Sequence, residues 1–391
     1  LEEWTSPIAV DTPITMLGTK SQIQYEPRGV CLIIAPWNYP FLLLAGPLVS
    51  ALAAGNTAVL KPSELTPHVS SVIKRLTNEV FDPSVVCCYE GGVEISKHLL
   101  TLPFDHIFFT GSPSVGKIVM KAAAENLASV TLELGGKSPV IVTSDAVLKN
   151  AAERIAVAKF VNNGQTCIAP DYVLVDEAIA ENFIEAVIDQ TKKLFTENNE
   201  AFDQSRHYGR IVSDKHFARL SNLLSDTIQQ GAELRFGGTV DETTRYICPT
   251  ILSNVPVASQ IMEEEIFGPI LPIIPYSNLD DVIAFVNGKP KPLALYVFAE
   301  NRKVQRKIVA ATSSGGICIN DCGVHFFHYN LPFGGVNSSG LGKSHRFFGF
   351  QAFSNQKPVL KQRRGWTTVK AFYPPYTERS KAMMDWILKF F

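Results

Sequence analysis

The chain has 391 residues, of which 46% are hydrophobic and 19% charged, a composition and length that favour folded structure with more than one domain. Its net charge of -1 gives no electrostatic footprint for binding nucleic acid or an anionic membrane surface. No apolar run approaches the roughly 20 residues that a membrane span needs, so we expect no spanning segment.

The seven cysteines are scattered along the chain. An odd count in a chain of this size argues against a disulfide framework and favours a reducing compartment, so we expect a cytoplasmic protein. Cys318 and Cys322 have a suggestive spacing, but they lack a second pair of ligands, and we predict no metal site. The first residue is Leu1, and the sequence there reads like the end of a helix, so we expect residues to precede it.

The first third of the chain alternates short apolar strands with helices. A strand pair is predicted within residues 15–30, followed by strands at 31–35, 57–60, 85–87, 107–109 and 130–132, with helices at 41–54, 66–79, 94–100 and 111–126. This alternation predicts an α/β fold with a Rossmann-like doubly wound parallel sheet, whose ligands bind beyond the carboxyl ends of the strands. Five polar residues lie at or just after those ends, namely Asn38, Lys61, Glu64, Ser112 and Glu133.

The remainder of the chain has the same character. An amphipathic helix is predicted at 148–161, followed by strands at 172–175, 270–275, 293–298 and 317–320, with helices at 178–194, 216–230, 279–286 and 303–311. A short helix with several methionines and aromatic residues is predicted at 380–391. These elements predict a second α/β domain.

The segment from Gly111 to Lys117 resembles a phosphate-binding loop in its spacing. Ile118 stands where that loop needs Ser or Thr to hold magnesium, so an NTPase is disfavoured. What remains is a helix start with Ser112 as a cap, whose free N–H groups suit a pyrophosphate. An ordinary helix start fits equally well.

Cys167 follows the predicted helix at 148–161 and could serve as a nucleophile, although a buried cysteine is more often a small core residue. His325, His328 or His345 could pair with it in a cysteine protease, and spacing alone leaves that alternative open. Glu133 lies between leucines and before two glycines. A buried carboxylate there would suit a general base, and a structural glutamate is the alternative.

Seven motifs follow one another along the chain, namely Pro36-Trp37-Asn38, Lys61-Pro62-Ser63-Glu64, Phe109-Thr110-Gly111-Ser112, Leu132-Glu133-Leu134-Gly135-Gly136-Lys137, Gly164-Gln165-Thr166-Cys167, Glu264-Glu265-Ile266-Phe267-Gly268-Pro269 and Pro332-Phe333-Gly334-Gly335. Taken together and in this order, they resemble the NAD(P)-dependent aldehyde dehydrogenase superfamily. Residues 164–172, 291–296 and 373–376 resemble its class 3 and fatty-aldehyde branch.

The resemblance implies that Cys167 is the nucleophile, that Asn38 and the Cys167 backbone N–H bind the oxyanion, and that Glu133 activates the hydrolytic water. It also implies NAD or NADP as cofactor. Its contacts would come from Trp37, Lys61, Glu64, Gly111, Ser112, Val115, Leu134, Glu265 and Phe267. Glu64 would repel a 2′-phosphate, which favours NAD. Lys137 is expected to be structural, and Asn337 replaces a common glycine in a loop that should tolerate it.

The resemblance further implies a medium-chain or long-chain aliphatic, or aromatic, aldehyde as substrate and a homodimer as the assembly. Tyr39, Phe41, Phe326 and Phe327 are candidate pocket walls. The expected domains are an amino-terminal bridging segment (1–28), a cofactor domain (29–135), a catalytic domain (136–338) and a carboxy-terminal tail (339–391). The alternatives are an enzyme that passes the acyl group to coenzyme A, which the presence of Glu133 disfavours, and a structural protein without turnover.

Overall fold

The computed structural model describes residues 1–197, 200–365, 367–368, 370 and 373–390. Within these residues the strands form two large sheets, of six and seven strands, and two small ones. Both large sheets are mostly parallel, with helices in the connections between their strands. The predicted α/β architecture is therefore confirmed.

The amino-terminal segment differs from its prediction. It contains helix α1 (Glu2–Thr5) and an antiparallel strand pair, β1 (Ile8–Val10) and β2 (Lys20–Pro27). The first strand therefore lies before residue 15, and Ile14–Met16 form a turn of 3-10 helix instead. Pro13 immediately precedes this turn, and proline cannot donate a hydrogen bond to a strand ladder, so it favours an early end to the strand.

The six-stranded sheet takes five of its strands from the first third of the chain. Its parallel strands have the order β7-β6-β3-β4-β5, in which the first strand is central and the chain winds outward in both directions. The elements are β3 (Val30–Ile34), α2 (Leu42–Ala53), β4 (Thr57–Lys61), α3 (Pro67–Val80), β5 (Val86–Cys88), α4 (Val93–Leu99), β6 (His106–Thr110), α5 (Pro113–Glu125) and β7 (Ser129–Glu133).

The seven-stranded sheet has the order β10-β13-β14-β9-β8-β15-β16, and only the β10–β13 pair is antiparallel among its described neighbours. Strands β8 and β10 to β13 are absent from the prediction. The elements are β8 (Pro139–Val142), α6 (Leu148–Phe160), β9 (Tyr172–Asp176), α7 (Ala180–Phe195), α8 (Asp214–Gln229), β10 (Glu233–Phe236), β11 (Val240–Asp241), β12 (Tyr246–Ile247), β13 (Thr250–Ser253), β14 (Ile270–Tyr276), α9 (Leu279–Gly288), β15 (Ala294–Phe298), α10 (Arg302–Ala311) and β16 (Gly316–Ile319).

The carboxy-terminal residues return to the first third of the chain. Strand β17 (Gly340–Leu341) pairs with β7, helix α11 (Arg346–Ala352) packs on α2, and β18 (Ser354–Lys361) pairs with β2 along eight positions. Helix α12 (Glu378–Phe390) agrees with the predicted tail helix, whose last residue, Phe391, lies outside the described residues. Across the described part of the chain, every helix is too short or too polar to cross a membrane.

The six-stranded sheet places the predicted polar residues at one edge. Lys61 and Glu133 are the last residues of β4 and β7, Asn38 lies four residues beyond β3, and Ser112 lies two residues beyond β6. Since β7, β6, β3 and β4 are consecutive neighbours, the carboxyl ends of these parallel strands form one continuous rim. The winding direction changes between β6 and β3, which is where doubly wound sheets bind ligands.

Candidate active site

The loop that carries Cys167 begins with an abrupt change of backbone direction. Asn162, Asn163 and Gly164 follow α6 with φ angles of 52°, 55° and 70°, three successive residues in the left-handed region. Asparagine tolerates this region, whereas a side chain at Gly164 would also overlap the carbonyl oxygen of Gly268. The sequence Asn-Asn-Gly thus turns the chain out of the helix and leads it to Cys167.

The buried side chain of Gln165 fixes this loop to a neighbouring segment. Its amide nitrogen donates to the carbonyl oxygens of Asn162 at 3.0 Å and Arg210 at 3.2 Å, and its amide oxygen accepts from the Val212 N–H at 3.0 Å. Each of these bonds uses a backbone group, so the loop geometry does not depend on mobile surface side chains.

Asn38 and Tyr39 bring the end of β3 to the same loop. The Asn38 amide donates to the Gln165 carbonyl at 3.0 Å, and the Asn162 amide donates to the Asn38 carbonyl at 3.1 Å. The Tyr39 and Thr166 hydroxyls are hydrogen bonded at 2.8 Å. Residues 127 positions apart in the chain are therefore held together beside the thiol.

Two cavities meet at Cys167. One, the Glu133 chamber, has a volume of about 420 Å³ and is lined by Glu133, Thr110, Ser344 and His345 among others. The other, the α6 chamber, has a volume of about 680 Å³ and is lined by Tyr39, Val157, Ala158, Val161 and Cys322 among others. Leu42, Leu43, Phe326 and Phe327 line both chambers.

The predicted pocket walls are thus partly wrong. Tyr39, Phe326 and Phe327 line the chambers as expected, whereas Phe41 is 56% exposed and lies outside the lining of both. Phe41 directly precedes α2, and the first turn of that helix directs Leu42 and Leu43 to the cavities instead. The chambers are therefore mainly apolar on the side that faces α2.

Glu133 is buried in its chamber without a hydrogen-bond partner. The residue is 6% exposed, and neither carboxylate oxygen has a partner among the described residues. Burial raises the pKa of this carboxyl to about 8, while Ser344 and Lys343 offset part of the effect. Burying an unpartnered carboxyl is costly, so its position here favours a chemical role over a structural one.

The thiol of Cys167 is neutral in this environment. Burial raises its pKa to about 12, and the nearby Glu265 and Glu133 carboxylates act in the same direction. The backbone N–H groups of Cys167 and Ile168 oppose the shift by stabilising a thiolate. A base must therefore accept the thiol proton before the sulfur can attack a carbonyl.

A second carboxyl, that of the partly exposed Glu265, lies against Gly135, two residues beyond the end of β7. Burial raises its pKa to about 8, and Asp171 adds to the shift. Any side chain at Gly135 would overlap this carboxylate, so glycine is required for its approach to the strand end. Lys159, fully buried on α6, has a pKa lowered by burial to about 8 and raised in part by Asp171 and Glu265.

Lys137 anchors the segment that contains Glu265. Its ammonium forms a buried ion pair with Asp171 and donates to the carbonyl oxygens of Ile261 at 2.6 Å and Glu264 at 2.8 Å. Asp171 in turn accepts from the Ile266 N–H at 2.9 Å. The structural role expected of Lys137 is consistent with these contacts.

Trp37 and Phe267 form an aromatic corner beside the same segment. Their ring centroids lie 5.4 Å apart with an interplanar angle of 80°, and His216 lies 5.2 Å from the Trp37 ring. Phe267 has a φ of 48°, an uncommon backbone conformation for an aromatic residue. This turn allows the ring to face Trp37 from the segment that Lys137 anchors.

Comparisons with known proteins agree with this geometry. Residues 6–359 match the aldehyde dehydrogenase family. The chain belongs to that family. It is 49% identical over 382 residues to 4,4′-diaponeurosporen-aldehyde dehydrogenase of Staphylococcus aureus, covering 97% of this chain and 82% of that protein. It is 47% identical over 380 residues to the dimeric NADP-preferring aldehyde dehydrogenase of Mus musculus, covering 96% and 81% respectively.

A solved structure described as the substrate-bound state of Staphylococcus aureus AldH matches with a TM-score of 0.93 and 48% identity, covering 99% of this chain and 83% of that one. The aldehyde dehydrogenase fold predicted from the motifs is therefore confirmed. As an aldehyde dehydrogenase, the chain oxidises aldehydes to carboxylic acids with NAD or NADP. Solved members of the family include complexes with NAD⁺ and with NADP.

The rim of the six-stranded sheet fits the dinucleotide that an aldehyde dehydrogenase uses. The Lys61 ammonium, 1% exposed, donates to the Pro62 carbonyl at 2.7 Å and lies 3.7 Å from the half-exposed Glu64 carboxylate. The exposed Glu64 carboxylate offers acceptors that suit ribose hydroxyls, and the buried ammonium can hold that carboxylate in place.

Helix α5 begins at the same rim. The Ser112 hydroxyl accepts from the Val115 N–H at 3.4 Å, as the sequence predicts for a cap, and the Gly111 N–H donates to the Glu133 carbonyl at 3.0 Å. Val115 is 42% exposed, whereas Leu134 is buried where Gly116 lacks a side chain. Val115 can thus face a ligand, and Leu134 supports the helix from below.

The histidines do not support the cysteine protease alternative. His325 approaches the Cys318 sulfur at 3.4 Å, and exposed His328 stacks on Tyr329. His345 lines the Glu133 chamber but stacks on Phe333 at 5.0 Å, and burial lowers its pKa.

The sequence did not indicate that Lys159, Lys343 and Ser344 lie at the site, and it proposed His345 only as a protease histidine. Lys159 had a detectable signal, because it occupies the buried face of α6 together with Ile155 and Ala156, where a charged residue is unusual. Lys343 and Ser344 had none, since only the pairing of β17 with β7 brings them there.

Proposed function

We propose that this aldehyde dehydrogenase oxidises medium-chain or long-chain aliphatic, or aromatic, aldehydes and releases the free acid by hydrolysis. The observation that carries the proposal is the meeting of two largely apolar chambers at one thiol, with an unpartnered buried carboxyl in one of them. The apolar walls suit a hydrocarbon chain, and the carboxyl suits a base for water.

We assign Cys167 as the nucleophile and Glu133 as the base that accepts its proton. The two residues line one chamber, and the pKa of Glu133 is raised by burial to about 8, so its carboxylate is a stronger base than an exposed one. Protonation of Glu133 also removes one of the negative charges that hold the pKa of Cys167 high. Transfer of the thiol proton to Glu133 therefore also lowers the free-energy cost of holding the thiolate.

Attack of the Cys167 sulfur on the aldehyde carbon gives a tetrahedral thiohemiacetal, whose oxyanion we assign to the Asn38 amide and the Cys167 backbone N–H. The Asn38 amide has two N–H bonds, and one of them is fixed on the Gln165 carbonyl. That bond orients the second N–H without consuming it, which is the preorganisation that oxyanion binding requires.

NAD⁺ or NADP⁺, when bound, supplies the hydride acceptor that converts the thiohemiacetal to a thioester. We assign Trp37, Glu265 and Phe267 to the nicotinamide side and Lys61, Glu64, Gly111, Ser112 and Val115 to the adenosine and pyrophosphate side. Leu134, which lines the Glu133 chamber, is proposed as a further cofactor contact. Glu64 would repel a 2′-phosphate, so we propose a preference for NAD⁺.

Glu133 then acts on water to release the acid. With both carboxylate oxygens free of protein partners, the side chain can accept a water proton without first breaking a hydrogen bond. The coenzyme A alternative needs no such base. A structural protein without turnover would have no reason to retain a costly buried carboxyl beside a thiol.

We further propose a cytoplasmic homodimer that binds no nucleic acid. Its parts would be the bridging segment 1–28, the cofactor domain 29–135, the catalytic domain 136–338 and the tail 339–391. One relative's name includes the word dimeric. In this chain Ile8 and Val10 of edge strand β1 are substantially exposed, which suits burial against a second copy.

The Asn38→Ala variant tests the oxyanion assignment. We expect kcat for hexanal to fall about 10²-fold, because one preorganised donor is lost, while cofactor affinity stays unchanged. Stopped-flow measurement of NADH formation and a cofactor titration give the two values. Asn150→Ala, which removes an exposed amide from the α6 chamber, is the matched control. Equal rates for the two variants would contradict the assignment.

The substrate and product proposals are tested together with hexanal and dodecanal, with and without coenzyme A. We expect one free acid per NADH and no dependence on coenzyme A. Val157→Trp should fill the α6 chamber and lower kcat/KM for dodecanal about tenfold relative to hexanal. Val309→Trp, at a similarly exposed valine on α10, is the control. Acyl-coenzyme A as product, or an unchanged chain-length ratio, would refute the respective proposal.

A further inference from the structure

Lys343 lies two residues beyond β17, and its ammonium is directed at a group of backbone carbonyls. It donates to the oxygens of Gly334 at 2.5 Å, Gly335 at 3.3 Å and Gly315 at 3.5 Å. An ammonium has three N–H bonds, so these contacts can use all of its donors. Lys343 thereby ties the glycine loop at 334–335 to the turn that precedes β16.

The same loop lies against Glu133. A side-chain carbon built on Gly334 would lie 3.1 Å from Lys343 Cδ and 3.2 Å from Glu133 Oε1, so those two atoms are no more than about 6 Å apart. The β17–β7 pairing, which sets Gly340 opposite Glu133, fixes this arrangement in the backbone. The lysine charge therefore lies near a buried carboxylate that Ser344 also approaches.

We propose that Lys343 is a positioning residue for Glu133, one that holds the glycine loop beside the carboxylate and stabilises its ionised form. The inference rests on the proposed function, in which Glu133 acts as the base. It is consistent with the direction of both shifts: Lys343 lowers the pKa of Glu133 against the effect of burial, and Glu133 raises the pKa of Lys343 in return.

Other titratable groups face this pair from neighbouring elements. Cys167 and His345 line the Glu133 chamber, and Arg28 and His106 line with Lys343 a separate cleft of about 290 Å³. The Arg28 guanidinium donates to the Ala352 carbonyl at 2.8 Å. Burial lowers the pKa of His106 to about 3, so that ring stays neutral throughout the working pH range. Of these groups, Lys343 supplies the positive charge for Glu133.

The consequence is a defined change in pH dependence. Deacylation needs the Glu133 carboxylate, so its rate rises with pH through the pKa of that group. Removing the positive charge of Lys343 raises this pKa further and moves the acid limb to higher pH, by about one unit for a nearby charge in a partly buried site. Acylation of Cys167 by an activated ester does not need this carboxylate in the same way, so the variant should still release a rapid first equivalent of the leaving group.

The experiment uses the full chain without cofactor and p-nitrophenyl acetate as the probe. The burst of p-nitrophenol reports acylation, and the steady state reports deacylation as a function of pH. We expect Lys343→Met to retain the burst and shift the acid limb upward by about one unit, and Lys343→Arg to restore the limb. Lys291→Met is the matched control, because Lys291 donates to Asn337 at 2.9 Å in the same loop region.

An unmoved acid limb in folded Lys343→Met would overturn the proposal, because the lysine charge would then have no influence on Glu133. An equal shift in Lys291→Met would also overturn it, because tethering of the loop alone would then explain the shift. Absence of any burst in the wild type would instead refute the proposed function. If Lys343→Met does not fold, Lys343→Gln and Lys343→Arg, which keep a hydrogen-bond donor, carry the comparison. The proposal then requires the acid limb of the glutamine variant to lie at higher pH than the acid limb of the arginine variant.

Discussion

Replacing Cys167 with alanine is expected to abolish aldehyde oxidation, lowering kcat/KM for hexanal by at least about 10³-fold. The thiol is where the Glu133 and α6 chambers meet, and its loop is fixed by backbone hydrogen bonds through Gln165. Alanine leaves this loop intact and removes the sulfur. The expected result is therefore a loss of chemistry without a loss of folding, measured as NADH formation and as the p-nitrophenol burst.

A matched control separates the reacting thiol from thiols in general. Cys322 lines the α6 chamber, is 7% exposed and is free, so Cys322→Ala removes a second sulfur from the same space. We expect this variant to keep kcat within a few-fold of the wild type. Cofactor titration by quenching of protein fluorescence should be unchanged for both variants. Full activity in Cys167→Ala would refute the mechanism.

The strand ends illustrate what sequence can predict. Asn38, Lys61, Ser112 and Glu133 could be placed on one rim, because apolar runs mark parallel strands and the winding rule sets their order. The end of helix α6 before Cys167 could be predicted as well, since Asn163-Gly164 indicates a helix stop. These predictions rest on local patterns that fix backbone direction.

Other parts of the site depend on contacts between distant segments. Lys343 reaches Glu133 through a two-residue strand, β17, that pairs with β7 some two hundred positions earlier in the chain. The sequence also cannot tell which of the adjacent residues Phe41 and Leu42 lines the cavity. Both are apolar, and only packing decides which one faces it. Neither outcome has a local signature in the sequence.

The protonation state of Cys167 could not be predicted from the sequence either. The sequence offered a cysteine without an evident partner to lower its pKa, and the structure places two carboxyls nearby that raise it. The same burial that disfavours the thiolate also raises the pKa of Glu133 and Glu265 to about 8. Burial thus raises the pKa of the thiol and of the carboxyls together, and the thiol stays the weaker acid, so attack on the aldehyde must draw the proton transfer to completion.

Replacing Glu133 with glutamine should separate acylation from hydrolysis. We expect the p-nitrophenol burst to persist and the steady-state rate to fall about 10²-fold to 10⁴-fold, because the amide cannot accept a proton from water. The wild-type rate should rise with pH through about 8, and this rise should disappear in the variant. Glu153→Gln, at an exposed carboxylate of the α6 chamber, is the control and should keep the wild-type profile.

The Glu133→Gln variant should also be more stable than the wild type at high pH. Folding raises the pKa of this carboxyl from 4.5 to about 8, so the native state binds its proton more tightly than the unfolded state does. The stabilisation from this proton is complete below pH 4.5 and is lost as the pH rises to about 8. Glutamine stays neutral and avoids that loss. Thermal unfolding at pH 5 and pH 9 measures the difference, and a wild type that equals the variant at both values would show that the carboxyl is not buried in its charged form.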